Sequence, residues 1–349
     1  MGKQLSGSGR RATGSVGVRD VAKAAGVSTA TVSRALNQPH QVSEELRKHV
    51  ASVAAELNYI PDPAARALSS QKTFRIGALI PTIANSIYSR FVEALQRRLR
   101  QSGYSLVLAN YDFDECLEME EAQALVESGI DALVLAGEQR SPELYDLLNR
   151  RKIPYLLISI YLPDSPHRCV GYDNRAGAEA MTRYILELGH REIGVLEGPS
   201  SVSDRALLRT KGIMDALKDF GVTLPATRIT GRSFSVHNGR EGLAELLEAA
   251  PEITAVICGN DVLAIGALME AQARGLTVPQ DLSICGYDGL DIAQDMVPQI
   301  ATVHVPTAQM GLKTAESLVT LLSGEETPHS VLIETRLVPG GSTAPPRTR

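Results

Sequence analysis

From residue 74 onward the chain alternates short, nearly unbroken apolar runs with longer stretches whose apolar residues return every three or four positions. The runs FRIGALI (74–80), LVLA (106–109), ALVLA (132–136), YLLIS (155–159) and CVGY (169–172) predict strands. So do EIGVLE (192–197), AVICG (255–259), LSICGY (282–287) and TVHV (302–305), and helical patterns lie between most of them. Strands apolar on both faces and separated by helices predict parallel sheets covered on both sides. So many strands exceed one compact sheet, so two doubly wound α/β subdomains are expected.

The first 73 residues have a different texture. Helical patterns run over about 19–25, 29–36 and 44–57, the last preceded by Ser43, a good N-cap, and opened by Glu44 and Glu45, which suit the helix dipole. Pro61 and Pro63 end that helix, and Pro63 can open a short new one capped by Asp62. The domains expected are a disordered Gly/Ser-rich tail (1–17), an all-α headpiece (18–62), a hinge helix and linker (63–73), an α/β body (74–341) and a tail (342–349).

VRDVAKAAGVSTATVSRALNQ predicts two helices meeting at Gly26-Val27-Ser28, where Gly26 can take a positive φ. Val21, Ala25, Val32, Ala35 and Leu36 supply the inner faces, Ala22 lets the helices cross closely, and Ser28 caps the second. Thr29, Ala30, Ser33 and Arg34 then face outward near its N-terminus, the end that a helix-turn-helix lays in a major groove. Arg34 can pair with guanine or touch a phosphate. An ordinary helical hairpin would share the tight turn and small residues, and charge weighs against that reading. The chain carries −5 overall, but residues 1–75 hold eleven Lys/Arg and five acids, a net of +6 that leaves −11 on the remainder. A basic head on an acidic body fits polyanion contact at one end.

The stretch DVAKAAGVSTATVSRALN, continued by VSEELRKHV, ELNYIP and ARAL, resembles the N-terminal signature of the lactose-repressor (LacI/GalR) family. Further along, IPTIANSIY, CGNDVLAIGA, CGYDGLD and ATVHVP with Gly311 resemble the family's body, so the likeness spans almost the whole chain. It implies that Thr29, Ala30 and Arg34 read bases, and that Leu68 in the hinge helix wedges into the minor groove of a palindromic operator bound by a homodimer. It also implies a body like periplasmic sugar-binding proteins, two lobes joined by three crossovers near 171–174, 301–305 and 328. The first lobe would hold about 74–170 and 302–326, and the second about 171–300 and 327–341. A hinge helix of about seven residues is too short to persist alone in water, which agrees with folding on DNA beside a partner's copy.

Ligands of open α/β sheets lie beyond the carboxyl ends of the strands. Asp288 and Asn260 follow strands, where one can accept sugar hydroxyls and the other both donate and accept. Arg205 lies between a strand and a helix and can fork onto a carboxylate or vicinal oxygens. Phe234 could stack on a sugar face and Tyr88 close the opposite side. The resemblance places effector contacts at these five positions, although each alone could serve as a cap or a salt bridge. Arg209 receives no assignment, and His190 reads as structural. The NSIY of the first loop, where many family members have NPFF or NPFY, and Val305, where some have a polar contact, leave the effector's identity open. A sugar or sugar acid is expected, as inducer or corepressor.

No phosphate-binding loop, dinucleotide fingerprint, nucleophile elbow or zincin motif is present, which argues against an enzyme. Cys116, Cys169, Cys258 and Cys285 lack metal-ligand spacing, so neither metal nor cofactor is expected and the thiols read as reduced. An exported solute-binding protein would share the body but have no use for the headpiece. With no secretory signal or membrane-length apolar run, a cytoplasmic location is expected.

Overall fold

The computed structural model describes residues 16–37, 41–60, 72–83 and 86–347. The chain divides into a headpiece unit, Met1–Thr73, and a body, Phe74–Arg349. Leu68 and residues 63–71 of the expected hinge lie outside the described residues, as does most of the N-terminal tail.

The headpiece holds α1 (Val18–Ala24), α2 (Thr29–Asn37) and α3 (Glu44–Glu56), each within a residue of its sequence-based bounds. Val21, Ala22, Ala25, Val32, Ala35, Val50 and Ala54 make its core. The turn between α1 and α2 forms because Gly26 adopts φ +67° and Ser28 Oγ accepts from the Thr31 amide at 3.1 Å. Ser43 Oγ caps α3 through the Leu46 amide at 3.3 Å, and His49 Nε2 meets Ala25 O at 3.1 Å, tying α3 to the turn.

The body's first lobe is built on a six-stranded parallel sheet in the order β11-β5-β4-β3-β1-β2. Its strands are β1 (Arg75–Ile80), β2 (Ser105–Asn110), β3 (Ala132–Ala136), β4 (Tyr155–Ile158), β5 (Cys169–Gly171) and β11 (Ser330–Leu332). All five residues of β3 are buried, which is why its sequence does not alternate. The helices are α4 (Ser86–Gln101), α5 (Glu115–Glu127), α6 (Pro142–Arg151) and α12 (Thr307–Ser323), the last packing along α4. Phe91, Leu95 and Leu99 of α4 meet Met310 and Leu318 of α12 in the core.

The second lobe carries a four-stranded parallel sheet, β7-β6-β8-β9. Its strands are β6 (Ile193–Glu197), β7 (Ile229–Gly231), β8 (Ala255–Cys258) and β9 (Ser283–Cys285), with helices α7 (Asn174–Glu187), α8 (Asp204–Asp219), α9 (Val236–Ala249), α10 (Asp261–Ala273) and the short α11 (Asp291–Gln294). Helix α10 is buried along most of its length, as its nearly unbroken apolar sequence requires. β10 (Thr302–His304) and β12 (Arg336–Val338) form an antiparallel ribbon.

Two sequence-based boundaries move. Residues 330–332 pair with β5 and so belong to the first lobe, which shifts the third crossover from about 328 to between β11 and β12. Three-residue strands such as β7, β11 and β12 carry too short an apolar run to be read locally. Residues 342–347, expected as a tail, are built into the second lobe. Ser342 is fully buried, Ala344 O meets His190 Nε2 at 2.8 Å, and Arg347 pairs with Asp281 at 2.7 Å. His190 is thus a clamp on this segment. Cys169, Cys258 and Cys285 are buried and Cys116 is exposed, all as free thiols.

Candidate functional site

Each sheet reverses its strand order once. In the first lobe the reversal lies between β1 and β3, in the second between β6 and β8. Ligands of such sheets sit outside the carboxyl ends of strands at these switch points. The loops after β1, β6 and β8 supply residues to one narrow space between the lobes, a cavity of about 30 Å³. The lobes thus stand close together. All five body residues expected at the site line it: Tyr88, Arg205, Phe234, Asn260 and Asp288.

Asp288 sits in a loop held rigidly from below. The buried Asp261 carboxylate accepts from Thr302 Oγ1 and from the Leu290 amide, both at 2.7 Å, and so ties the loop to β10. The Asp288 amide donates to Val303 O at 2.9 Å, and Asp288 takes φ +115°, which is strained for a residue with a side chain. Burial pushes its carboxyl up to about 6, with the Arg209 guanidinium partly offsetting that rise. Arg209 Nη2 lies 3.2 Å from Asp288 Oδ1. The approach is not aligned as a hydrogen bond, and Oδ1 has no hydrogen-bond partner among the described residues. A buried acceptor in that state is suited to a ligand hydroxyl.

Arg209 is the principal residue that sequence reasoning missed. Its Nε donates to Asn174 Oδ1 at 3.0 Å and Nη1 to Gly259 O at 2.7 Å, while its guanidinium lies 3.9 Å from the centre of the Tyr287 ring. One turn after Arg205 on α8, it points inward at (i, i+4) spacing, a signal available in the sequence. Tyr172, Phe113 and Ser203 also line the space and were not foreseen. The buried Tyr172 phenol is pushed up to about 12, chiefly by burial, and stays a neutral donor.

Asn260 both caps α10, its Oδ1 accepting from the Leu263 amide at 3.0 Å, and faces the space. Phe234 meets Phe113 of the first lobe with ring centroids 6.1 Å apart, closing one side of the cleft with apolar rings. Arg205 spends only Nη1 on the protein, donating to Ala136 O and Asp204 Oδ1, both at 2.8 Å. Its Nε and Nη2 make no hydrogen bond among the described residues. The walls thus offer donors, one strong acceptor and an apolar face, the set that a polyhydroxylated ligand with an anionic end requires. Among the described residues no group of three His, Cys, Asp or Glu side chains could hold a metal, and no helix is long and apolar enough to cross a membrane.

In the headpiece, Thr29, Ala30 and Arg34 are exposed on α2 and Ser33 is half-buried. Arg34 Nε donates to Ala30 O at 3.3 Å, one turn earlier on the helix, and the residue is exposed.

Comparison with known proteins matches residues 18–62 to the model for bacterial regulatory proteins of the lacI family. Residues 73–339 match that for periplasmic binding proteins and the sugar-binding domain of the LacI family. The HTH-type transcriptional regulator GntR of Escherichia coli K12 is 34% identical over 330 residues, 93% of this chain and 98% of that protein. The HTH-type transcriptional repressor PurR of Escherichia coli O139:H28 is 33% identical over 332 residues, 94% and 96% of the two chains. Among solved structures, the lac repressor dimer bound to operator and the anti-inducer ONPF superposes with a TM-score of 0.84 at 26% identity, covering 95% of this chain and all of that one. A transcriptional regulator CelR–cellobiose complex superposes with a TM-score of 0.71 at 28% identity, covering 94% and 99%.

Proposed function

This chain belongs to the LacI family of bacterial regulatory proteins, and from that premise we propose that it is a homodimeric repressor whose operator affinity is set by a sugar acid held between the lobes of its body. The observation that carries the ligand class is the division of labour between the two arginines. Arg209 is consumed by Asn174, Gly259 and Asp288, whereas among the described residues Arg205 spends only Nη1 and leaves two edges of its guanidinium to a ligand. A carboxylate on Arg205, hydroxyls on Asp288 Oδ1 and the Asn260 amide, and a C–H face against Phe234 would satisfy every group. A neutral sugar would leave Arg205 unmatched. The Phe113 and Phe234 rings are tilted 58° to one another, so they do not form a parallel slot for a flat base.

The lobes carry ligand binding to DNA because the first lobe continues directly into the linker at Phe74. A change in lobe angle alters the spacing of two linkers in a dimer, and the coupling is reciprocal. Thr29, Ala30 and Arg34, exposed on α2, with the half-buried Ser33 beside them, would read the operator. The test is calorimetry of the homodimer with D-gluconate, D-glucose and adenine, paired with titration of an operator selected from random DNA with and without each compound. Binding of the hexonate alone, with a change in operator affinity, is expected. Preference for the purine, or equal binding of sugar and sugar acid, would refute the assigned class.

A further inference from the structure

The loop after β3 and the start of α8 face each other across the cleft, and one carboxylate stands at the centre of their contact. Asp204 Oδ2 accepts from the Glu138 amide at 2.5 Å and the Gln139 amide at 3.0 Å, both in the first lobe. Its Oδ1 accepts from Arg205 Nη1 at 2.8 Å, and that nitrogen also donates to Ala136 O of the first lobe. Gln139 Nε2 adds a donation to Ser201 O at 3.3 Å. The approach is close enough that Gly137, at φ +78°, has no room for a side chain: a Cβ there would overlap Arg205 Nη1 and lie 2.5 Å from Asp204 Oδ1.

The receiving loop is preorganised. Arg140, whose side chain is fully buried, donates to Gly137 O at 2.5 Å, Ala136 O at 3.1 Å and Tyr145 OH at 3.2 Å, and pairs with the buried Glu118 at 2.9 Å. Tyr145 OH donates to Glu138 O at 2.8 Å, and Ser165 Oγ to Glu138 Oε1 at 2.5 Å. Two amides held in one direction form a concavity for a carboxylate, and such charge-assisted bonds are about twice as strong as neutral ones.

We propose that Asp204 is a positioning residue of this cavity: it bolts the first lobe's 137–139 loop to the second lobe and fixes the direction in which Arg205 presents its free edges. Two consequences follow from the geometry. Closure draws on contacts between the lobes themselves as well as on any ligand held between them. Arg205 receives its anion at one place only, because Nη1 is held from two sides by Asp204 and Ala136. The contact stands by itself; its consequence for ligand choice rests on the sugar-acid reading above.

The test compares the full-length wild-type homodimer with Asp204→Ala and Asp204→Asn by hydrogen exchange and calorimetry. In effector-free protein, the Glu138 and Gln139 amides are expected to exchange at least tenfold faster in Asp204→Ala, with Asp204→Asn intermediate because its amide oxygen still accepts. Unchanged exchange over β8 reports that the fold is retained. In the ligand arm, the ratio of D-gluconate to D-glucose affinity is expected to fall at least tenfold in Asp204→Ala. Exchange at 138–139 equal to wild type would overturn the bolt. Faster exchange with an unaltered affinity ratio would overturn the positioning of Arg205. If wild type binds neither compound, the sugar-acid reading fails and the exchange arm alone decides the bolt.

Discussion

Replacing Arg209 with Met isolates the interaction on which the cavity floor is built. The substitution keeps an unbranched apolar stem and removes the guanidinium with its charge. Lost are the bonds to Asn174 Oδ1 and Gly259 O, the ion pair with Asp288 and the contact over the Tyr287 ring. Both ion-pair side chains are more than nine-tenths buried, so solvent screens little of the loss. Removing one partner of a buried pair costs about 3–5 kcal/mol, because the other is left as an uncompensated charge. Asp288 can escape that state by taking up a proton. Its carboxyl already sits at about 6 against an ordinary 3.8, which corresponds to about 3 kcal/mol of folding stability present below pH 4 and lost as pH rises through 6. Without Arg209 its carboxyl moves higher still, so the variant loses more stability at pH 8 than at pH 5, where Asp288 is mostly neutral with or without Arg209. The assay is urea unfolding at pH 5 and 8 and constant protein concentration, for wild type, Arg209→Met, Asp288→Leu and the double variant. The double variant is expected to recover at least 1 kcal/mol relative to the sum of the singles at pH 8. Equal losses at both pH values together with strict additivity would refute the argument that the pair is energetically coupled.

Effector affinity should weaken as pH falls through about 6, because protonation of Asp288 removes the acceptor for a ligand hydroxyl; calorimetry from pH 5 to 8 with a flat affinity would contradict that role. Gly137→Ala is expected to lower the thermal midpoint of the body, since it combines strain of about 1–2 kcal/mol at φ +78° with collision against Arg205. Arg34→Ala should weaken operator binding by about 1–3 kcal/mol and random DNA by less in a fluorescence titration, whereas equal losses would assign the side chain to a phosphate. Ser43→Ala should cost about 1 kcal/mol of headpiece stability through loss of the α3 cap, read from its thermal unfolding in the full chain.

Most of the architecture was legible along the chain because it rests on local rules. Period-3.6 patterns, the capping serines and the Gly26 turn define the headpiece helices, and unbroken apolar runs mark strands buried on both faces. Asp288, Asn260 and Arg205 were legible because a parallel sheet delivers the residues after its strands to one edge, whereas Tyr88 and Phe234 were placed only by the resemblance to the family. Tertiary structure alone decided the remainder. Arg209 and Arg205 are indistinguishable as two arginines one turn apart on a helix. Only packing shows that the first is consumed by Asn174, Gly259 and Asp288 while the second makes side-chain hydrogen bonds through Nη1 alone among the described residues. Asp204 looks like an ordinary first-turn acid, and the amides that receive it lie 66 and 65 residues away in sequence. Strand β11 and the segment 342–347 have no periodicity of their own and are held by partners more than fifty residues distant, β5 in one case and Ile284 and His190 in the other. Such contacts depend on which backbone groups the fold leaves unpaired at a sheet edge, and no local pattern records that.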